Sequence, residues 1–259
     1  MSEASAILAL AHRDFIKLLR DRQRIIADFA FPLIFIGILG TTLQAGFGER
    51  AGINLMDYVF TGVLAQTVWQ SSAMGLISLL ADREQDFSQE IFVSPISRYS
   101  IIVGKILGES LVTLPQALAI VTFGFILQIH MSPDQLWRMA LALVVVALFG
   151  GAFGVIVLAN LSSQRAANQI FPFIFLPQFF LAGVFTPIQV LPWYLEILSL
   201  ISPLRYVVDL FRGVVYMGRP EYHKVVLLDP EINLMVMALM FAVFIVTGTA
   251  LFVRRETNR

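Results

Sequence analysis

The apolar residues of this chain lie in blocks near twenty residues long, neither alternating as in a half-buried strand nor confined to one helical stripe. A helix needs about 20 apolar residues to cross the hydrocarbon of a bilayer. Six such blocks are present, at 25–45, 58–80, 106–129, 139–159, 170–185 and 232–253. The pattern therefore predicts an all-α, polytopic membrane protein of six transmembrane helices, with 1–259 forming a single transmembrane domain. The intervals between blocks carry patterns of their own. Within residues 1–24, Leu8, Ala11, Phe15, Leu18 and Leu19 recur at helical spacing while Arg13, Lys17, Arg20 and Arg24 take another face. That predicts an amphipathic helix lying at the membrane interface, whose cations either hold anionic headgroups or meet a partner. Residues 186–218 are apolar but broken by Pro187, Pro192 and Pro203. Two short helices follow, with Pro192 and Pro203 suited to first turns and Trp193 and Tyr194 at headgroup level, so this segment is predicted to dip into the outer leaflet and return as a re-entrant hairpin. Pro172 and Pro177 predict a short, kinked fifth span.

Composition removes the soluble alternative. At 58% hydrophobic and 14% charged residues, with a mean hydropathy of +0.78, the chain has too little polar sequence to cover six apolar helices in water. Its 18 basic residues balance 18 acidic ones, so the information lies in their placement. Five cations fall in 1–24, three in 81–105, one in 160–169 and three in 254–259, against six on the opposite side. That excess predicts cytoplasmic termini and hence an even number of spans. The opening MSEASAILALAHRDF carries charges where a signal peptide has its apolar core, so the N-terminus is expected to be retained. Cysteine is absent, which excludes a disulfide framework or a thiolate metal site.

Signatures of catalysis and nucleotide binding are missing. Gly104 and Lys105 form the one Gly-Lys pair, without the glycine before it or the Ser or Thr after it that a phosphate loop requires. No H-E-x-x-H or G-x-S-x-G motif occurs, and His12, His130 and His223 are scattered, so interface or solvent is expected for them rather than a metal. The chain is thus expected to be no enzyme, with no cofactor or metal of its own and no nucleic-acid partner. Mid-span positions lack charge, since Asp28, Asp57 and Glu109 fall near span ends. That weighs against an ion- or proton-coupled secondary transporter, the alternative reading. The polar mid-span residues are amides and hydroxyls, Gln66, Gln70, Ser71, Ser72 and Gln116, which can bridge helices or line a passage. Arg205, Asp209 and Arg212 share one face of the second short helix, and a carboxylate between two guanidinium groups reads as a structural ion cluster.

The longest charged stretch inside the chain is DREQDFSQEIFVSPISRYS, residues 82–100. It lacks a helix breaker before Ser94 and Pro95, which predicts a short cytoplasmic helix. Phe87 and Ile91 share a face with Glu84 while Asp82, Asp86 and Glu90 point elsewhere. So short a helix is marginal alone, and its acidity disfavours the negative inner leaflet, so a protein partner is expected. This loop with Gly104 and Lys105 after it, together with the AGVFTPI through ISPLRY block, resembles the ABC-2 type permeases, the membrane subunits of ABC exporters, and in particular the drug-export branch related to daunorubicin permeases. The likeness covers essentially the whole chain. It implies that residues 84–95 are a coupling helix seated in a groove on a cytoplasmic ATPase, with Glu84, Phe87, Glu90, Ile91, Pro95 and Arg98 at the contact. It further implies two separate ATPase subunits carrying ATP and magnesium, a second permease copy or homologue, and a place in the plasma membrane, the inner membrane of a bacterium. The cargo expected from the likeness is an amphipathic drug, lipid or glycan.

Overall fold

The structure, a computed structural model, describes residues 3–20, 22–84 and 97–257. Among the described residues every regular element is helical. Helix α1 (Glu3–Arg20) precedes a long broken helix made of α2 (Arg22–Phe35), a π-helical turn (Ile36–Gly40) and α3 (Thr41–Ala51). The chain continues through α4 (Leu55–Gly75), α5 (Ile77–Glu84), α6 (Arg98–Ile126), α7 (Pro133–Leu158) and α8 (Gln164–Leu181). After a 3-10 turn (Ile188–Val190) come α9 (Trp193–Leu200), α10 (Pro203–Val215), α11 (Tyr222–Val225) and α12 (Pro230–Thr257).

Among the described residues five stretches are long and apolar enough to cross a membrane: Phe29–Gly48, Leu55–Asp82, Tyr99–Ile126, Pro133–Leu158 and Tyr222–Arg254. They overlap five of the six predicted blocks. The remaining block, at 170–185, falls on α8, which has 18 residues and opens with the polar Gln164, Arg165, Asn168 and Gln169. Its apolar length is shorter than that of the other five. Side-chain oxygens of Asn54, Ser97, Ser132 and Ser163 cap the starts of α4, α6, α7 and α8, satisfying amides that the first turn leaves without helical partners. Pro32, Pro115, Pro172 and Pro177 lie inside helices.

Helix α4 is the axis of the bundle and is buried almost along its whole length. Helix α7 approaches it with Gly150 and Gly154: a Cβ at the first would lie 2.4 Å from the Trp69 carbonyl oxygen, and one at the second 2.5 Å from that of Ala73. Small residues let two helix backbones touch, which is how helices gain dispersion contact when the surroundings are as apolar as their side chains. The Ser72 hydroxyl adds a 2.6 Å bond to the Ala147 carbonyl across this seam. Trp69 fills the space beyond, 4.7 Å from the Phe153 ring and 5.2 Å from that of Phe175. The two short helices predicted within 186–218 are α9 and α10. Pro203 stands in the first turn of α10, as its fixed φ favours, while Pro192 is one position earlier than expected, at the N-cap of α9. Helix α10 is enclosed on every side, whereas α9 presents Trp193 and Ile197 outward.

Candidate functional site

At one end of the bundle, helices α1, α5 and α6 meet in a charged node. Lys105 of α6, with its side chain 1% exposed, lies 3.1 Å from Asp14 and 2.8 Å from Asp82. Arg13 reaches Asp82 at 2.6 Å and Asp14 at 2.9 Å, and Lys17 reaches Asp82 at 3.4 Å. Lys105 also donates to the Ser78 hydroxyl at 3.1 Å, and that hydroxyl donates to Glu109 at 2.9 Å. Lys105, Arg13 and Lys17 set against Asp14, Asp82 and, through Ser78, Glu109 approach neutrality, the condition under which charges tolerate burial. Burial by itself would lower the Arg13 pKa, but the neighbouring carboxylates of Asp14 and Asp82 raise it above the ordinary guanidinium value. Arg13 and Lys17 of α1 are thus both paired with carboxylates of the protein. The burial of Ala11 and Asp14 seats α1 against its neighbours.

The node stands at the base of the 82–100 stretch. Glu84, the last residue of α5, accepts from the Gln164 amide at 2.9 Å, placing a carboxylate at the start of α8 where the helix dipole favours negative charge. On the return side the Ser100 hydroxyl donates to Glu3 of α1 at 2.8 Å. Both stems of the loop are thus bonded to α1, one through Asp82 and one through Ser100. Arg98 opens α6, though its side chain lies outside the described residues. Phe87, Glu90, Ile91 and Pro95 of the expected coupling helix also lie outside them.

A second feature is a cavity of about 490 Å³ among α2, α4, α5, α6 and α8. Of the five mid-span polar residues named from the sequence, Gln66, Gln70, Ser71 and Gln116 line it, joined by Thr67, Ser78, Gln164 and Asn168, whereas Ser72 faces α7. Phe31, Pro32, Met74 and Ile77 supply apolar wall. Gln66 donates to the Gln70 carbonyl at 3.2 Å, and Gln70 donates to the Met74 sulfur at 3.6 Å.

Arg205, Asp209 and Arg212 are all buried on α10, but among the described residues no ion pair joins them. The Asp209 carboxylate accepts from the Leu227 and Leu228 amides at 2.7 and 2.8 Å and from Asn233 at 2.8 Å. Arg212 donates to the Gly183 carbonyl at 2.6 Å and lies 3.6 Å over the Tyr58 ring. Arg205 bonds the Ser199 hydroxyl. Nearby backbone groups from other segments take the place of the expected mutual pairing, because a buried carbonyl or amide left alone is itself costly. Gly183, at φ +68°, holds a left-handed turn that also accepts from the Tyr58 hydroxyl at 3.0 Å. Arg212 in this way ties the AGVFTPI segment to α10. Among the described residues no group of three or more His, Cys, Asp or Glu is placed to hold a metal ion.

Residues 5–216 match the family described as ABC-2 type transporter. The chain belongs to that family. This ABC-2 chain is 24% identical over 210 residues, 80% of its own length and 72% of the relative's, to a Cyanophora paradoxa protein named as transport permease ycf38. It is 26% identical over 139 residues to an Escherichia coli K12 protein named as multidrug ABC transporter permease YbhR, covering 53% of this chain and 38% of that one, with the same figures for the protein of Escherichia coli O157:H7. Membership supports a transport permease role, and with the five apolar helices it describes a multi-pass membrane protein.

The node was the part of this ABC-2 permease that sequence reasoning passed over. Lys105 and Glu109 are charges four residues apart within a run that is otherwise apolar, IIVGKILGES, and intramembrane charges demand partners. That run was a usable signal. The matching acids, Asp14 and Asp82, lie 91 and 23 positions from Lys105 and carry no such mark, because an aspartate in a polar segment reads as solvated.

Proposed function

We propose that this chain is the permease subunit of an ATP-binding cassette exporter, moving an amphipathic drug, lipid or glycan-type molecule out of the cytoplasm. In this reading two cytoplasmic ATPase subunits carry ATP and magnesium, and a second permease copy or homologue completes the passage. The chain sits in the plasma membrane, a bacterial inner membrane, with α8 as the fifth of six spans, α1 on the inner surface and α9 with α10 as the outer re-entrant hairpin. The observation that carries the reading is the fastening of both stems of the 82–100 loop to α1, in a chain of this family. A push on the loop from an ATPase would be passed through Asp82 and Lys105 to α1 and α6 together.

Phe87→Asp tests it. A buried aromatic anchor contributes on the order of 2 kcal/mol or more to a small interface, and a carboxylate there adds desolvation cost. The expected result is normal insertion, weakened capture of the ATPase from native membranes, and less transport per ATP. The isolated chain, lacking a phosphate loop, is expected to hydrolyse no ATP. A Phe87→Asp variant with unchanged ATPase affinity and coupling removes the support. Topology is tested by Glu221→Cys, which is expected to react with an impermeant thiol reagent only from the outside. Labelling only from the cytoplasmic side overturns the placement.

Burial of Glu109 inside α6 is the observation that favours a second reading, an ion-coupled secondary transporter. That reading requires flux to follow an imposed proton gradient with no ATPase present.

A further inference from the structure

We propose that the amide-lined cavity is a binding site for an uncharged amphipathic molecule bearing several hydroxyl or carbonyl groups on an apolar frame. With the permease reading, on which this step rests, that molecule is the cargo. Three observations converge on this chemistry. The first is size: about 490 Å³ lies in the range of pockets that enclose drug-sized ligands. The second is the wall. Gln66, Gln70, Gln116, Gln164 and Asn168 bring five carboxamides from three helices to one space, and each carboxamide offers two donors and an acceptor. The Gln66–Gln70 bond runs along α4 rather than between helices. The other donor contact there, from Gln70 to the Met74 thioether, is to a weak acceptor at 3.6 Å. A hydroxylated ligand can replace both at little cost.

The third observation is charge. Among the described residues none of those lining the cavity is charged. Two carboxylates adjoin the wall and each is held by a donor: Glu109 accepts from the Ser78 hydroxyl, which itself accepts from Lys105, and Glu84 accepts from the Gln164 amide. Lys105 is itself matched by Asp14 and Asp82. An ammonium or carboxylate ligand entering here would leave water without meeting a counter-charge among the lining residues, whereas hydroxyls and carbonyls would find partners. Phe31, exposed at the rim, and Met74 and Ile77 along the wall suit the apolar frame.

The test uses the full chain in lipid nanodiscs with two fluorescent probes of equal alkyl length, one an alkyl glucoside and one an alkyl trimethylammonium, against empty nanodiscs. Saturable glucoside binding is expected, with the ammonium probe weaker by about tenfold or more. Combining Gln66→Leu with Gln116→Leu is expected to weaken glucoside binding by about tenfold. Because that variant could lose affinity by misfolding, Gln70→Glu supplies a gain: a carboxylate in the wall should make the ammonium probe the tighter one. Equal or tighter ammonium binding by the unaltered chain overturns the proposal, as does a Gln70→Glu variant that gains none. No ATP or ATPase enters the measurement. Failure here therefore leaves ATPase association untouched, and failed ATPase capture leaves the binding site standing.

Discussion

Replacement of Lys105 by methionine is expected to destabilise the chain by about 3 kcal/mol or more, the cost of removing one partner from a buried ion pair. The reason lies in what remains. Asp14 and Asp82 are 3% and 9% exposed at the side chain, and without Lys105 their remaining charged contacts are Arg13 and Lys17, the latter 59% exposed. Asp14, Asp82 and, through Ser78, Glu109 would then share a site with Arg13 and the largely exposed Lys17 alone. Adding Asp14→Asn removes the excess, so the double variant is expected to regain at least half of the loss in a denaturation series, and the cycle isolates the coupling. An internal control is Arg138, paired at 2.7 Å with Asp134 but with both side chains at least half exposed. Arg138→Ala is expected to cost no more than about 0.5 kcal/mol, since solvent screens an exposed pair. A Lys105→Met protein as stable as the parent would show that the node carries no stabilisation.

The same comparison explains what the sequence did and did not disclose. Spans are legible because twenty apolar residues in a row have few uses, and the short helices 193–200 and 203–215 are legible because Pro192 and Pro203 mark their starts. The four polar residues Gln66, Gln70, Ser71 and Gln116 could be grouped because amides are conspicuous against apolar neighbours, and they do line one cavity. Partners across the fold were not legible. Asp209 was assigned to two arginines on its own helix, since spacing reveals only local neighbours, whereas its acceptors are filled by the amides of Leu227 and Leu228 and by Asn233. Asp82 was assigned to the loop face and instead meets α1, some 65 to 69 residues away. Helix α8 lies at the margin for a different reason. Its polar first turns serve the cavity through Gln164 and Asn168, and so shorten the apolar run that a span count depends on.

Gly150→Leu is expected to prevent the bundle from closing. At this position even the first added carbon would sit 2.4 Å from the Trp69 carbonyl oxygen and 3.2 Å from the Ser72 Cβ. The obstacle is the backbone of the axial helix and cannot rotate aside as a side chain could. Relief requires α7 to move away from α4, which also stretches the Ser72–Ala147 bond and loosens the packing of Trp69 against Phe153. Overpacking alone costs about 1 to 3 kcal/mol in a well-filled core, and the accompanying losses place this variant at or beyond the upper end. Gly46→Ala is the counterpart, because nothing lies within 4 Å of a Cβ there and the residue is inside helix α3. It should be neutral or stabilising by about 0.5 to 1 kcal/mol through helix propensity. Thermal denaturation followed by gel filtration in detergent separates the two: Gly46→Ala should elute and melt like the parent, while Gly150→Leu should aggregate or melt many degrees lower. A Gly150→Leu chain that keeps the parent melting temperature would mean that α4 and α7 do not touch backbone to backbone.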